Sequence, residues 1–295
     1  VSNVLTITAG TLDASTRTIT LSGTTGAPFS NSGTFTASTS TVSYTGANAG
    51  GDTTITAVTY YNLTLNANDT FVLAANTDVN NNFTITQGTV DVVNLSNYSL
   101  TVGGSYSNSG TFTARSGTVT LDATANGKTL TAGGSSFYNL TLNGVGGVWT
   151  LQDATTVSNI LTITAGELSL GSQTLTLSGT TGTPLSISGT FTASTGTATF
   201  TGNNGAGDTT VPAATYYNLT LNNAAETYAL GGNITVSNIL TITAGTLDAS
   251  TRTITLSGTT GSPFSNSGTF TASTSTVSYT GANAGGDTTI TAVTY

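Results

Sequence analysis

Twelve carboxylates and four bases are the only side chains in this 295-residue sequence that ordinarily carry charge, and there is no His, Cys or Met. That inventory limits the chemistry. Without His or Cys there is no Ser/His/Asp or Cys/His nucleophile, and zinc has only carboxylates to bind. A carboxylate pair is the usual device for cleaving glycosides. Here the acids stand singly, mostly among turn residues: Asp13, Asp69, Asp122, Asp153, Glu167, Glu226 and Asp248. No catalytic residue, cofactor-binding residue or metal ligand is assigned from them, no cofactor is implied, and the chain is read as not an enzyme.

Two further groups invite a chemical reading. The stretches Ala-Gly-Gly-Asp at 49–52 and 284–287, and Gly-Ala-Gly-Asp at 205–208, are faint counterparts of glycine–aspartate calcium loops. Such loops need tandem copies to gather oxygen ligands, so the reading preferred here is Gly-rich turns closed by Asp52, Asp208 and Asp287. Trp149, alone of its kind, is the one candidate for an aromatic binding patch. Its counterpart in the following unit is Tyr228, which points to core packing instead. Asn-x-Thr sequons at Asn62, Asn139, Asn218 and Asn233 are possible glycan acceptors. Lys–Asn cross-linking fails because Lys128 is the only lysine. Thr-x-Thr is frequent, and an ice-binding surface built from it would need one long unbroken row. Ser278 standing where Thr255 stands argues against that.

The elements that must position these residues are legible from repetition. Residues 236–295 repeat residues 1–60 with two changes, Val4 to Ile239 and Ala27 to Ser262, at an offset of 235. Three related units lie within that offset, marked by Tyr61, Tyr138 and Tyr217, with spacings of 77 and 79. "YYNLTLN" stands at 60–66 and 216–222, with Phe137 replacing the first Tyr at 137–143, and "SGTFTA" recurs at 32–37, 109–114, 188–193 and 267–272. A finer echo relates 245–258 to 268–281 at an offset of 23, and Leu219 to Leu240 at 21. A period of 20–23 residues is in the range of solenoid coils. The expected division is a partial unit at 1–60 and full units at 61–137, 138–216 and 217–295, forming one continuous solenoid. The chain opens mid-pattern at Val1 and stops at Tyr295, as expected of a slice of a longer array.

The local pattern is β. Leu219 and Leu221 flank Thr220, Leu240 and Ile242 flank Thr241, and Ile254 and Leu256 flank Thr255. Period two sends one set inward and the Thr set outward, and Gly, Asn, Ser and Asp punctuate the runs. In "YYNLTLN" the leucines are expected inside, Thr outside, and Asn at the corners, where it tolerates left-handed backbone. One coil of about 20 residues buries some five or six apolar side chains at ~1.5–3 kcal/mol each, against ~1–2 kcal/mol per residue of backbone ordering. A single coil is therefore unstable, and stability accrues per stacked neighbour. Stacking puts like on like, so a charge repeated at every rung would repel. That accounts for only 5% charged residues. The predicted fold is all-β, a parallel β-solenoid (β-helix) of ~78-residue units. A string of Ig-like sandwiches is the rival, opposed by the 20–23-residue echo. A transmembrane β-barrel needs longer strands.

The phrases "YNLTLN", "VSNILTITAGTLD" and "SNSGTFTAS" resemble the β-strand repeats of very large bacterial surface and secreted proteins, of the filamentous-haemagglutinin and autotransporter-passenger adhesin kind. The resemblance covers essentially the whole chain. It implies a parallel β-helix, secretion, and a structural or adhesive role, with no catalytic residues. The reading is the structural shaft of an extracellular or cell-surface filament; the alternative is an adhesin stalk that binds surface glycans or partner cells. The expected partners are further repeats of the same protein, by self-assembly or end-to-end continuation, with glycans as a possible second class. Four scattered bases against a net charge of −8 exclude nucleic acid, which demands many Lys and Arg. No apolar run approaches the ~20 residues of a membrane helix. Nine to twelve coils at ~4.8 Å each would carry 235 residues over roughly 45–60 Å.

Overall fold

The structure is a computed structural model that describes residues 1–92, 97–205 and 207–295. It is a parallel β-solenoid of about 13 turns, with coils of about 21 residues and no helix among the described residues. The coils fall into two compact units, Val1–Asp153 and Ala154–Tyr295.

In the first unit the opening coil has three short strands, Leu5–Ile7, Thr11–Asp13 and Thr18–Leu21, and the next coil lays Phe29–Asn31, Thr34–Thr36 and Thr41–Tyr44 over them in parallel. A coil thus closes as three faces, each too narrow for more than one or two inward side chains. One inward column runs Ile19–Val42–Leu63–Phe83–Tyr106–Leu130–Leu151. All of its members above Ile19 are buried. The step varies from 20 residues, Leu63 to Phe83, to 24, Tyr106 to Leu130. The variation is absorbed at corners. Between Ile85 and Thr89 the pairing with Asn62–Leu73 shifts register, and Gly88 takes φ +86° there.

The second unit repeats this construction. Val157, Leu177, Phe200, Leu221 and Ile242 succeed one another up one column, and Leu175, Ala198, Leu219, Leu240 and Phe264 up its neighbour. Every one of these is buried. The alternating Thr line the outside, because period two leaves them no other direction.

The repeated leucines and first aromatic of "YYNLTLN" lie inside as expected: Tyr60, Leu63 and Leu65, then Phe137, Leu140 and Leu142, then Tyr216, Leu219 and Leu221. The corner role expected of its asparagine is not what the fold uses. Neither Asn62, Asn139 and Asn218 nor Asn66, Asn143 and Asn222 have positive φ; left-handed backbone falls on one asparagine outside the motif, Asn97, and on six residues that share one kind of corner, Ser15, Ser38, Arg115, Ser194, Ser250 and Ser273. Each of these follows an alanine whose carbonyl accepts a bond from the N–H three residues on, as Ala14 does from Arg17 at 3.0 Å and Ala193 from Gly196 at 2.8 Å. The asparagines serve as rungs. The Asn62 amide nitrogen donates to Thr41 Oγ1 at 3.3 Å, and its oxygen accepts from Asn81 Nδ2 at 3.0 Å and the Asn82 N–H at 3.2 Å. A side chain that bonds to the coils on both sides satisfies more polar atoms than one that only relaxes a turn.

Candidate functional site

Several of the acids close turns. Asp13 Oδ1 accepts from the Ser15 N–H at 2.7 Å and from Ser38 Oγ at 2.8 Å. These two bonds hold its carboxyl below the usual carboxylate range, the backbone bond contributing most. Its copy Asp248 accepts from the Ser250 N–H at 2.8 Å. Asp153 accepts from the N–H groups of Ala132 and Gly133 at 2.8 and 2.7 Å. Asp91 takes a two-pronged ion pair from Arg115, with Nη2 at 2.6 Å from Oδ2. Asp78 is the acid least suited by its surroundings: burial and then the nearby Asp122 raise its carboxyl. It sits on an outward row, between Thr59 below and Thr101 above. Among the described residues no three His, Cys, Asp or Glu side chains gather as a metal site would require.

The glycine–aspartate loops are built around asparagine. Asn48 Nδ2 donates to the Asp52 carbonyl at 3.2 Å, Asn48 Oδ1 accepts from the Gly50 N–H at 3.3 Å, and Asn283 bonds to Asp287 and Gly285 in the same way. In the copy at 205–208, Ala206 lies outside the described residues; there Asn204 Nδ2 reaches the Asp208 carbonyl at 3.1 Å. The loops that follow Asn48 and Asn204 each rest on a carboxylate of the following coil. Asp69 Oδ2 accepts from the Asn48 N–H at 2.9 Å and from Thr53 Oγ1 at 2.5 Å, and Glu226 Oε2 accepts from the Asn204 N–H at 2.7 Å. Sequence reasoning missed this pairing of loop and acid. Its signal was present: Asp69 and Glu226 each stand two residues before the aromatic of their unit, Phe71 or Tyr228.

Trp149 is fully buried, and its Nε1–H donates to the Gly104 carbonyl at 3.2 Å. Phe71 and Tyr228 fill the equivalent slots, paired with Thr53 and Thr209 as Trp149 is paired with Lys128. The aromatic is core, not surface. Buried tyrosines behave likewise. Desolvation raises Tyr44, Tyr60, Tyr106 and Tyr216, and pushes the Tyr228 hydroxyl up to about 12. Hydroxyls shifted in that direction stay protonated and are poor nucleophiles. The sequon asparagines Asn62, Asn139 and Asn218 are half-buried, with their amide nitrogens directed at Thr41, Thr118 and Thr197 of the preceding coil.

What the outside does offer is a hydroxyl row. In the second unit Thr156, Thr176, Thr199, Thr220, Thr241 and Ser265 stack in register. In the first, Thr20, Ser43, Thr64, Thr84, Ser107 and Thr131 do the same. The rows are longer than the sequence suggested, but the flanking row in the second unit runs Thr174, Thr197, Asn218, Ile239. A crystal lattice is matched in two directions, and this face is regular in one. No helix of the described residues is long and apolar enough to cross a membrane. No family model matches the chain, and neither the curated proteins nor the solved structures compared with it give a match.

Proposed function

We propose that the chain is a segment of the structural shaft of an extracellular or cell-surface filament, of the kind found in secreted bacterial repeat proteins. One observation carries the reading. The same residue types stack on themselves coil after coil: Thr on Thr, Asn on Asn, Phe83 on Tyr106 at a ring separation of 5.5 Å. Such a chain lengthens by repetition, each coil adding ~4.8 Å and closing the apolar face of the one before. Several carboxylates, Asp13, Asp69, Asp153 and Glu226, are spent on closing turns and loops, and four widely spaced Lys and Arg give trypsin-like proteases few sites. Both properties suit a long element that works by persisting.

The adhesin-stalk reading needs an exposed patch that does not repeat, and its one aromatic candidate, Trp149, is core. Electron microscopy of the native material separates the readings. Uniform fibres a few nanometres wide are expected; isolated globules would end the proposal.

A further inference from the structure

Asn-Gly occurs three times in the chain, at Asn126-Gly127, Asn143-Gly144 and Asn204-Gly205. An asparagine in this setting can react with its own backbone. The glycine nitrogen has no Cβ beside it to obstruct ring closure, and its free backbone can bring it to the side-chain amide carbon. The three places differ in whether the fold leaves that path open.

At Asn204 both reacting groups are engaged. The Gly205 N–H donates to Asn203 Oδ1 at 2.7 Å, and Asn204 Nδ2 donates to the Asp208 carbonyl at 3.1 Å. Asn143 lies within the strand Ser136–Leu151, next to Leu142, which pairs with Leu121. Extended backbone there turns the Gly144 nitrogen away from the asparagine side chain. Gly144 is also buried so close to the preceding coil that a Cβ on it would stand 1.9 Å from the Ala123 carbonyl oxygen. The corner between the strands Thr118–Leu121 and Lys128–Thr131 is the open case. Asn126 and Gly127 are exposed, Gly127 takes φ +74°, and nothing lies within 4 Å of the position a Cβ would occupy. No protein group among the described residues bonds to the Asn126 amide or to the Gly127 N–H.

We propose that the Asn126-Gly127 corner is a site of spontaneous covalent modification, at which the asparagine converts to aspartate and isoaspartate. The Gly127 nitrogen gives up its proton to solvent and attacks Asn126 Cγ. The new N–Cγ bond closes a cyclic imide, the Cγ–Nδ2 bond breaks, and Nδ2 takes a proton and leaves as ammonia. Water then adds to one imide carbonyl. Opening at Cγ gives aspartate, and opening at the main-chain carbonyl gives isoaspartate, in which the backbone runs through the former side chain. Nothing is oxidised or reduced. Neither product disturbs the coil stack, because the ladder resumes only at Lys128, which pairs with Trp149. Such a site acts whether or not the chain forms a shaft, and in a long-lived shaft the converted fraction measures its age.

The test keeps the full chain in warm, mildly alkaline buffer, folded in one sample and unfolded by guanidinium in the other. Peptide mapping by mass spectrometry follows each of the three asparagines, with electron-transfer fragmentation to separate isoaspartate from aspartate. Folding should leave the rate at Asn126 within about twofold of its unfolded value and slow Asn143 and Asn204 at least about tenfold, because those two react only from locally opened backbone. The circular dichroism of converted protein should match that of the fresh chain. Protection of Asn126 by folding, or unslowed conversion of Asn143 or Asn204, would overturn the assignment.

Discussion

Single residues matter here mostly through how closely coils approach. Gly202 lies directly over Gly179, and a Cβ built on it would come 1.8 Å from the Gly179 carbonyl oxygen. The backbone of two coils would have to part. Gly202→Ala should therefore cost about 3 kcal/mol or more, at or beyond the usual range for overpacking. Gly50, where the nearest atom to a Cβ is Asn48 Oδ1 at 3.6 Å, should accept Ala within about 0.5 kcal/mol. Urea midpoints of the two variants check the contrast. Tyrosine burial makes a second prediction. Desolvation lifts Tyr228 from 10.0 to about 12 in the folded chain. A raised folded value means that folding stability is intact below pH 10 and falls as pH rises from there through about 12, because the unfolded chain releases the proton first. Tyr228→Phe, which removes the titrating hydroxyl, should hold its β-sheet circular dichroism to higher pH than the parent in an alkaline titration. Coincident pH profiles would contradict the burial.

At the scale of the element, the asparagine rungs are the test of how strands are held in register. Asn62 bonds to Thr41 on one side and to Asn81 and Asn82 on the other. Asn62→Ala leaves the Asn82 N–H without that acceptor, and should lower stability by about 1–3 kcal/mol. A melt of the variant against the parent measures it, with Asn66→Ala as the exposed control. The strands themselves were legible in the sequence, since Leu219-Thr220-Leu221 and its relatives alternate strictly. The corner chemistry was not. Asn was expected to take left-handed backbone, whereas Ser15 and its equivalents do. Residue type alone allows both, and the choice falls to the partner: the asparagine amide finds Thr and Asn on adjacent coils, which only the stacked structure supplies.

At the scale of the molecule, each coil is stabilised by the coils beside it, so protection from hydrogen exchange should be graded. The amides of the exposed corner at Ala125–Gly127 should exchange fastest. Those of Leu63–Leu65, sandwiched between Val42–Tyr44 and Phe83–Ile85, should exchange slowest. Equal rates at the two places would mean that coil stacking contributes little.

The repeat in the sequence was enough to determine a parallel solenoid, its coil length, and the inward leucines and outward threonines. Periodicity fixes which side a residue faces, and repetition fixes what lies above and below it. Tertiary structure alone decided which polar groups meet: Asp69 under the Asn48 loop, Trp149 on the Gly104 carbonyl, the sequon asparagines turned into rungs. These pairs lie 21 to 45 residues apart in the chain. Their choice depends on corner geometry and coil offset to within a hydrogen bond's reach, and a pattern of residue types does not specify position that closely.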